Sequence, residues 1–276
     1  MGGQLPQQEI FVVLKPRRTV LGALALAVSL FTLGTAEAKE WNKIRFGTEG
    51  AYAPFNYVTP DGQLAGFDVD IAHALCEELK VECELVMQDW DGMIPALLAN
   101  KYDAIIASMS ITEERKKSIN FTEKYYDTPT RLVVHKDSGI DGSPESLNGK
   151  RIAVQRETTQ DRYATENLEP AGAEIVRYAT GEEATLDLVS GRVDARLEDA
   201  VVLSESLLKT PEGADFQFVG DPINDAKYFG LGAGIGVRKG DEDLVELLNK
   251  GIAGIRASGK YQEIQSKYFE FDVYGD

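Results

Sequence analysis

Ser108, Ser110 and Arg115 stand close together in the stretch from Tyr102 to Arg115, YDAIIASMSITEER. Two hydroxyls and a guanidinium at that spacing make a donor set suited to an anionic group such as a carboxylate. Their surroundings point the same way. Ala104, Ile105, Ile106 and Ala107 form a short apolar run of the kind found in a strand buried on both faces, and Thr112 with Glu113 and Glu114 reads as the cap and first turn of a helix. Open α/β sheets take ligands beyond the carboxyl ends of their strands, which is where the two serines fall.

A second stretch repeats the pattern. LLANKYDAIIAS, from Leu97, aligns with LVSGRVDARLED, from Leu188: a helix end, Asn or Gly, a basic residue, an apolar residue, Asp-Ala and a strand. Ser108 follows Asp103 by the same interval as Asp199 follows Asp194. Either motif alone also fits an ordinary helix-to-strand corner. Together they imply two related α/β units, one offering hydroxyls and a guanidinium and the other a carboxylate. An α-amino acid carries the complementary pair of charges.

The elements that must position these residues follow from pattern. Residues 44–48 read as a first strand, with Glu49 to Tyr52 as the loop leaving its carboxyl end and Pro54 blocking a helix. A helix is expected over 68–80, with Ile71, Ala74, Leu75 and Leu79 on one face, and a second strand over 84–87. Trp90 then lies on a polar loop before a helix over 93–99, at the same sheet edge as Tyr52 and Ser108. Two aromatics across a cleft would sandwich an aliphatic or cationic side chain. Thr128-Pro129-Thr130 reads as a crossing to a second lobe, where 132–135 and 151–154 are strands and Thr158 or Thr159 caps a helix running to 167. Threonines there present hydroxyls and N–H groups to an anion. Thr180 with Glu183 makes a capping box, and the strand over 194–197 delivers Asp199. The glycines of GLGAGIGV alternate as in a strand packed closely on its neighbours, and no G-x-G-x-x-G opens a helix there. Asp241 is expected to cap a long helix carrying Leu244, Leu247, Leu248, Ile252 and Ile255 and closed by Gly259, with a last short helix and an edge in the tail.

Composition bounds the function. The chain has 276 residues, a net charge of -16 and 43% hydrophobic residues, enough for two moderate cores and a poor match to nucleic acid or anionic membrane surfaces. Lys15, Arg17 and Arg18, an apolar run over 20–33, and Ala36-Glu37-Ala38 read as a signal peptide cleaved after Ala38. Cys76 and Cys83 would then meet an oxidising compartment, which favours a disulfide. A metal site would want more than His73 nearby, and a redox pair would want C-x-x-C.

With these residues in view, the chain from Ile44 to Asp276 resembles the periplasmic polar amino-acid binding proteins of ABC importers, and among them the lysine/arginine/ornithine and histidine binders. GTEGAYAPF, GFDVDIAHALC, SMSITEER, GKRIAVQRETTQ and YFEFDVYGD carry the resemblance, and the two cysteines match that subgroup's disulfide. It implies an α/β fold of two lobes, each a mainly parallel sheet flanked by helices, joined by two hinge strands and closing on a ligand. The first lobe would comprise 39–128 and 232–276, and the second 129–231. It further implies that Arg115, Ser108 and Ser110, with the backbone at Thr159, hold the ligand's α-carboxylate. Asp199 would hold the α-ammonium, Tyr52 and Trp90 would sandwich the side chain, and Glu49 and Gln160 would meet its far end, with Gln155 in the wall. Glu49 stands where these relatives have Asp, Trp90 where they have a smaller hydrophobe, Ala107 where they have serine, and Glu157 where they have glycine. QDWDG around Trp90 is closer to opine binders.

The resulting expectation is a monomeric periplasmic protein that binds a cationic L-amino acid and hands it to a membrane permease, with glutamine or an opine as the alternative ligand. An exported dehydratase-like enzyme would need a general acid or base in the cleft. Glu49 is the one candidate, and no His or nucleophilic triad accompanies it. No catalysis, cofactor or metal is expected.

Overall fold

The computed structural model describes Met1, Gly2 and residues 40–275. The expected signal peptide and cleavage site lie outside the described residues.

The chain opens with β1 (Lys43–Thr48), in which Ile44 and Phe46 are fully buried, and a small antiparallel flap of β2 (Ala51–Tyr52), β3 (Asn56–Val58) and β4 (Leu64–Ala65). Helix α1 (Phe67–Leu79) buries Phe67, Ile71 and Leu75, and is followed by β5 (Glu82–Met87), α2 (Met93–Leu98), β6 (Ala104–Ile105), α3 (Glu113–Lys116) and β7 (Ile119–Tyr126). The chain then forms β8 (Thr130–His135), α4 (Pro144–Leu147), β9 (Arg151–Gln155), α5 (Thr159–Tyr163), β10 (Glu174–Tyr178), α6 (Gly181–Val189), β11 (Ala195–Asp199), α7 (Ala200–Leu203) and β12 (Phe216–Ile223). It returns through α8 (Ala226–Phe229) to β13 (Ala233–Arg238), α9 (Glu242–Ala257) and α10 (Lys260–Tyr268).

Two five-stranded sheets result, in the orders β5-β1-β6-β13-β7 and β10-β9-β11-β8-β12. Both are mixed rather than mainly parallel. In the first, β1 runs parallel to β5 and β6, while β13 opposes β6 and β7. In the second, β9 runs parallel to β10 and β11, while β8 opposes β11 and β12. The cause is the double crossing: β7 leads out of one sheet and β13 leads back into it, so the two must lie antiparallel.

Local chemistry explains most boundaries. Thr180 and Glu183 form the capping box ahead of α6, and Thr112 caps α3 by accepting from the Arg115 N–H. Gly234 and Gly236 of β13 are tight contacts, since a Cβ on Gly234 would stand 2.7 Å from the Ile111 side chain. Asp241 departs from expectation. It makes no side-chain cap for α9 because its carboxylate pairs with Arg238 at 2.7 Å. Cys76 and Cys83 are joined in a disulfide between α1 and β5.

Candidate functional site

Strand ends from both sheets meet at one cavity of about 100 Å³. Glu49, Tyr52, Trp90, Ser108, Ser110, Arg115, Gln155, Thr159, Gln160 and Asp199 all line it. Glu49 follows β1, Tyr52 ends β2, and Trp90 opens the 3₁₀ turn Trp90–Gly92. Ser108 and Ser110 lie between β6 and α3, Gln155 ends β9, Thr159 and Gln160 open α5, and Asp199 ends β11. The repeat of Asp-Ala strand starts therefore delivers Ser108 and Asp199 to the same space.

Arg115 is the cationic pole. Its neighbours Lys116 and Lys117 pair with Glu113 and Glu114, whereas Arg115 has no carboxylate partner among the described residues. One Nη donates to the Ser110 carbonyl at 3.0 Å, and the guanidinium sits 5.2 Å from the Trp90 ring centroid. Burial draws its pKa down to about 10. It stays charged at neutral pH, with donors left to offer.

Ser108 behaves differently from expectation. Its backbone is left-handed, at φ 56°, and its hydroxyl donates to Asp68 at 2.9 Å rather than into the cavity. Asp68 is fully buried and also accepts from Tyr125 at 2.7 Å and Asn56 at 2.8 Å, while Asn56 accepts the Gly50 N–H at 2.8 Å. Desolvation pushes Asp68 up to about 6, against the pull of those hydrogen bonds. With the Ser108 hydroxyl given to Asp68, the donors left for an anion are Arg115, Ser110 and the start of α5. There the cap is Thr158, whose hydroxyl accepts from the Asp161 N–H. The Thr159 hydroxyl donates to Gln160, and the Gln160 amide donates to Thr130.

Three acids line the cavity, Glu49, Asp127 and Asp199, and burial shifts Asp199 and Glu49. Asp199 caps α7, with Oδ1 accepting from the Val201 and Val202 N–H groups at 2.7 and 3.2 Å and Oδ2 from the Thr128 hydroxyl. Burial pushes it up to about 7, and neighbouring Glu198 adds to the shift. Glu49 accepts from the Gln155 amide at 2.6 Å and is likewise pushed up to about 7 by burial. Its bond to Gln155 bridges the two sheets, as does an exposed ion pair between Arg156 and Asp91, 2.8 Å long. Among the described residues no group of three or more His, Cys, Asp or Glu is placed to hold a metal.

The sequence reading missed Asp68, Tyr126, Thr128 and Thr130 as parts of the site. Thr128 and Thr130 flank the expected crossing at Pro129, and a polar residue on each side of a hinge was the signal available. Asp68 carried none, since an acid in the first turn of a helix is ordinary dipole chemistry.

Comparison with known proteins extends this picture. The chain is 53% identical over 256 residues to the L-arginine-binding protein of Pseudomonas aeruginosa, covering 93% of this chain and 97% of that one. It is 44% identical over 253 residues to the histidine-binding periplasmic protein of Escherichia coli K12, covering 92% and 97%. A solved structure described as an ancestral arginine-binding protein bound to arginine superposes with a TM-score of 0.76 at 36% identity, over 83% of this chain and 98% of that one. Residues 44–271 match the model of one family, and the chain belongs to it: the bacterial extracellular solute-binding proteins, family 3.

Proposed function

We propose that the chain is the solute-binding subunit of an ABC importer, exported to the periplasm with its signal peptide cleaved after Ala38. It acts as a monomer, closes on a cationic L-amino acid, arginine foremost, and delivers it to a membrane permease. The observation that carries this reading is the charge content of the cavity, which is lined by the guanidinium of Arg115 together with the buried carboxyl groups of Asp199 and Glu49. Arginine presents the complement, an α-carboxylate, an α-ammonium and a distal guanidinium. Those charges would offset the desolvation that holds Asp199 and Glu49 near 7. The arginine- and histidine-binding relatives support the same ligand class. Glutamine, or an opine, is the second reading. It is favoured by the burial that raises Glu49 to about 7, because a protonated Glu49 suits a neutral amide.

The test is calorimetric titration of refolded, ligand-stripped residues 39–276 with L-arginine, L-histidine, L-glutamine and an opine. Arginine is expected to bind with a Kd of about 1 μM or below, equivalent to roughly 8 kcal/mol. Tighter binding of glutamine or the opine would transfer the assignment to the second reading. Heat with none of them would overturn both. Ligand recovered from the protein is expected to be chemically unchanged, since the site is proposed to bind without turnover.

A further inference from the structure

Behind the cavity lies a buried ion pair that the lining residues do not explain. Arg196 and Glu198 alternate on β11, are 1% and 2% exposed, and pair at 3.1 Å. Arg196 also donates to the Thr185 hydroxyl on α6. Gly181, which opens that helix, makes room for it, because a Cβ there would stand 2.6 Å from an Arg196 Nη. Stability alone is a poor reason to bury such a pair, since well-packed apolar residues of similar volume serve as well or better. The second oxygen of Glu198 accepts from the Asp199 N–H at 2.8 Å and from the Tyr52 phenol at 2.9 Å. Tyr52 belongs to the flap on the first sheet and Glu198 to the second, so this bond spans the cleft. Burial and the nearby Glu198 push the Tyr52 pKa well up, which keeps the phenol protonated and able to donate.

We infer that Glu198 is a positioning residue for ligand capture: braced by Arg196, it takes the Tyr52 phenol only when the lobes are shut, and so fixes that aromatic wall of the cavity from the opposite side. The inference rests on the proposed reading of the cavity as an amino-acid site closed by lobe movement. With the lobes apart, the phenol is left to water. On closure it makes a charge-assisted bond in dry surroundings, where such bonds are strongest. An interaction confined to the shut form slows release and leaves capture alone.

The experiment compares wild type, Tyr52→Phe, Glu198→Gln, Glu198→Ala and the double variant Tyr52→Phe/Glu198→Ala by stopped-flow with L-arginine. Tyr52→Phe keeps the ring and loses the phenol, and is expected to dissociate about tenfold faster with an unchanged association rate. Glu198→Gln keeps an acceptor and is expected to lose less. In the Glu198→Ala background, Tyr52→Phe is expected to add nothing further. Wild-type dissociation of Tyr52→Phe, or full additivity of the two losses, overturns the inference. If none of the five proteins binds arginine, the proposed function fails instead, and the Tyr52–Glu198 contact is then read without ligand. Spin labels on the two lobes are expected to show a smaller shut fraction for Tyr52→Phe than for wild type, and equal fractions overturn the inference.

Discussion

The strands β6 and β11 are built alike where they begin and differently where they end. Asp103, just ahead of β6, accepts from the backbone N–H and the Nε of Arg45 on β1, both at 3.0 Å. Asp194, just ahead of β11, accepts from the same two atoms of Arg151 on β9, at 2.8 and 3.4 Å. Each strand then runs parallel to that neighbour, with Ala104 opposite Phe46 and Ala195 opposite Ile152. Beyond that point the likeness ends. Where the first unit has Ile105, Ala107 and Ser108, the second has Arg196, Glu198 and Asp199. The shared aspartate-arginine corner sets where a strand stops, and the residue types at the far end set the charge it delivers. Scaffold and ligand chemistry are thus separable along a single strand.

The sharpest way to break this comparison is at the charged end. Arg115→Ala is expected to weaken every amino-acid ligand by at least about 100-fold in calorimetry, because a desolvated carboxylate would lose its charged partner. Retained affinity would show that the first unit's end does not carry the anion site. At the scaffold end the effect should fall on folding instead. Asp103→Ala takes the carboxylate partner from Arg45 and the longer of two from Arg238, which keeps Asp241, and is expected to lower stability by about 2 kcal/mol in urea denaturation. Asp194→Ala, whose single partner Arg151 is more exposed, is expected to cost about 1 kcal/mol. Neither should alter the preference for arginine over glutamine, and a shift in that preference would mean the two ends are coupled. Glu49→Gln comes next, with about tenfold weaker arginine binding and little change for glutamine.

Much of this was legible in the sequence because the signals are local. The capping box at Thr180 and Glu183, the alternating glycines of β13 and the repeated Asp-Ala corner each depend on residues a few positions apart. The sites where the reading fell short depend on contacts distant in sequence. The Ser108 hydroxyl was assigned to a ligand, but it is taken by Asp68, which reaches it from another element. Asp241 was read as a cap, yet Arg238 claims its carboxylate. The two-fold alternation of Arg196 and Glu198 in a buried strand was a visible sign of an internal pair, but its partner Tyr52 comes from the other lobe. Glu157 was noted as standing at a usual glycine position, and it does occupy left-handed backbone, at φ 60°. A residue with a Cβ is strained there by about 1 kcal/mol or more, which residue type alone could foretell.

The subtlest contrast between the two ends is in protons. Burial holds Glu49 and Asp199 near 7, against ordinary values of 4.5 and 3.8. Both are raised acids, so the sign is fixed: they favour the folded, ligand-free protein at low pH, and that contribution is lost as pH rises from about 4 through 7. The unfolding midpoint of the ligand-free protein is therefore expected to fall between pH 5 and pH 8. A cationic ligand reverses the balance, since an ammonium beside Asp199 and a guanidinium beside Glu49 favour the ionised acids. Binding of arginine at pH 6.5 should then release roughly one to two protons, and affinity should rise with pH until it levels off above 7. Calorimetry in buffers of differing ionisation enthalpy measures that count directly. Glu49→Gln should lower it and leave the share of Asp199, whereas Arg115→Ala offers no titrating group in this range. Heats that do not depend on the buffer would mean that Asp199 and Glu49 are already ionised before the ligand arrives, and that burial does not hold them protonated.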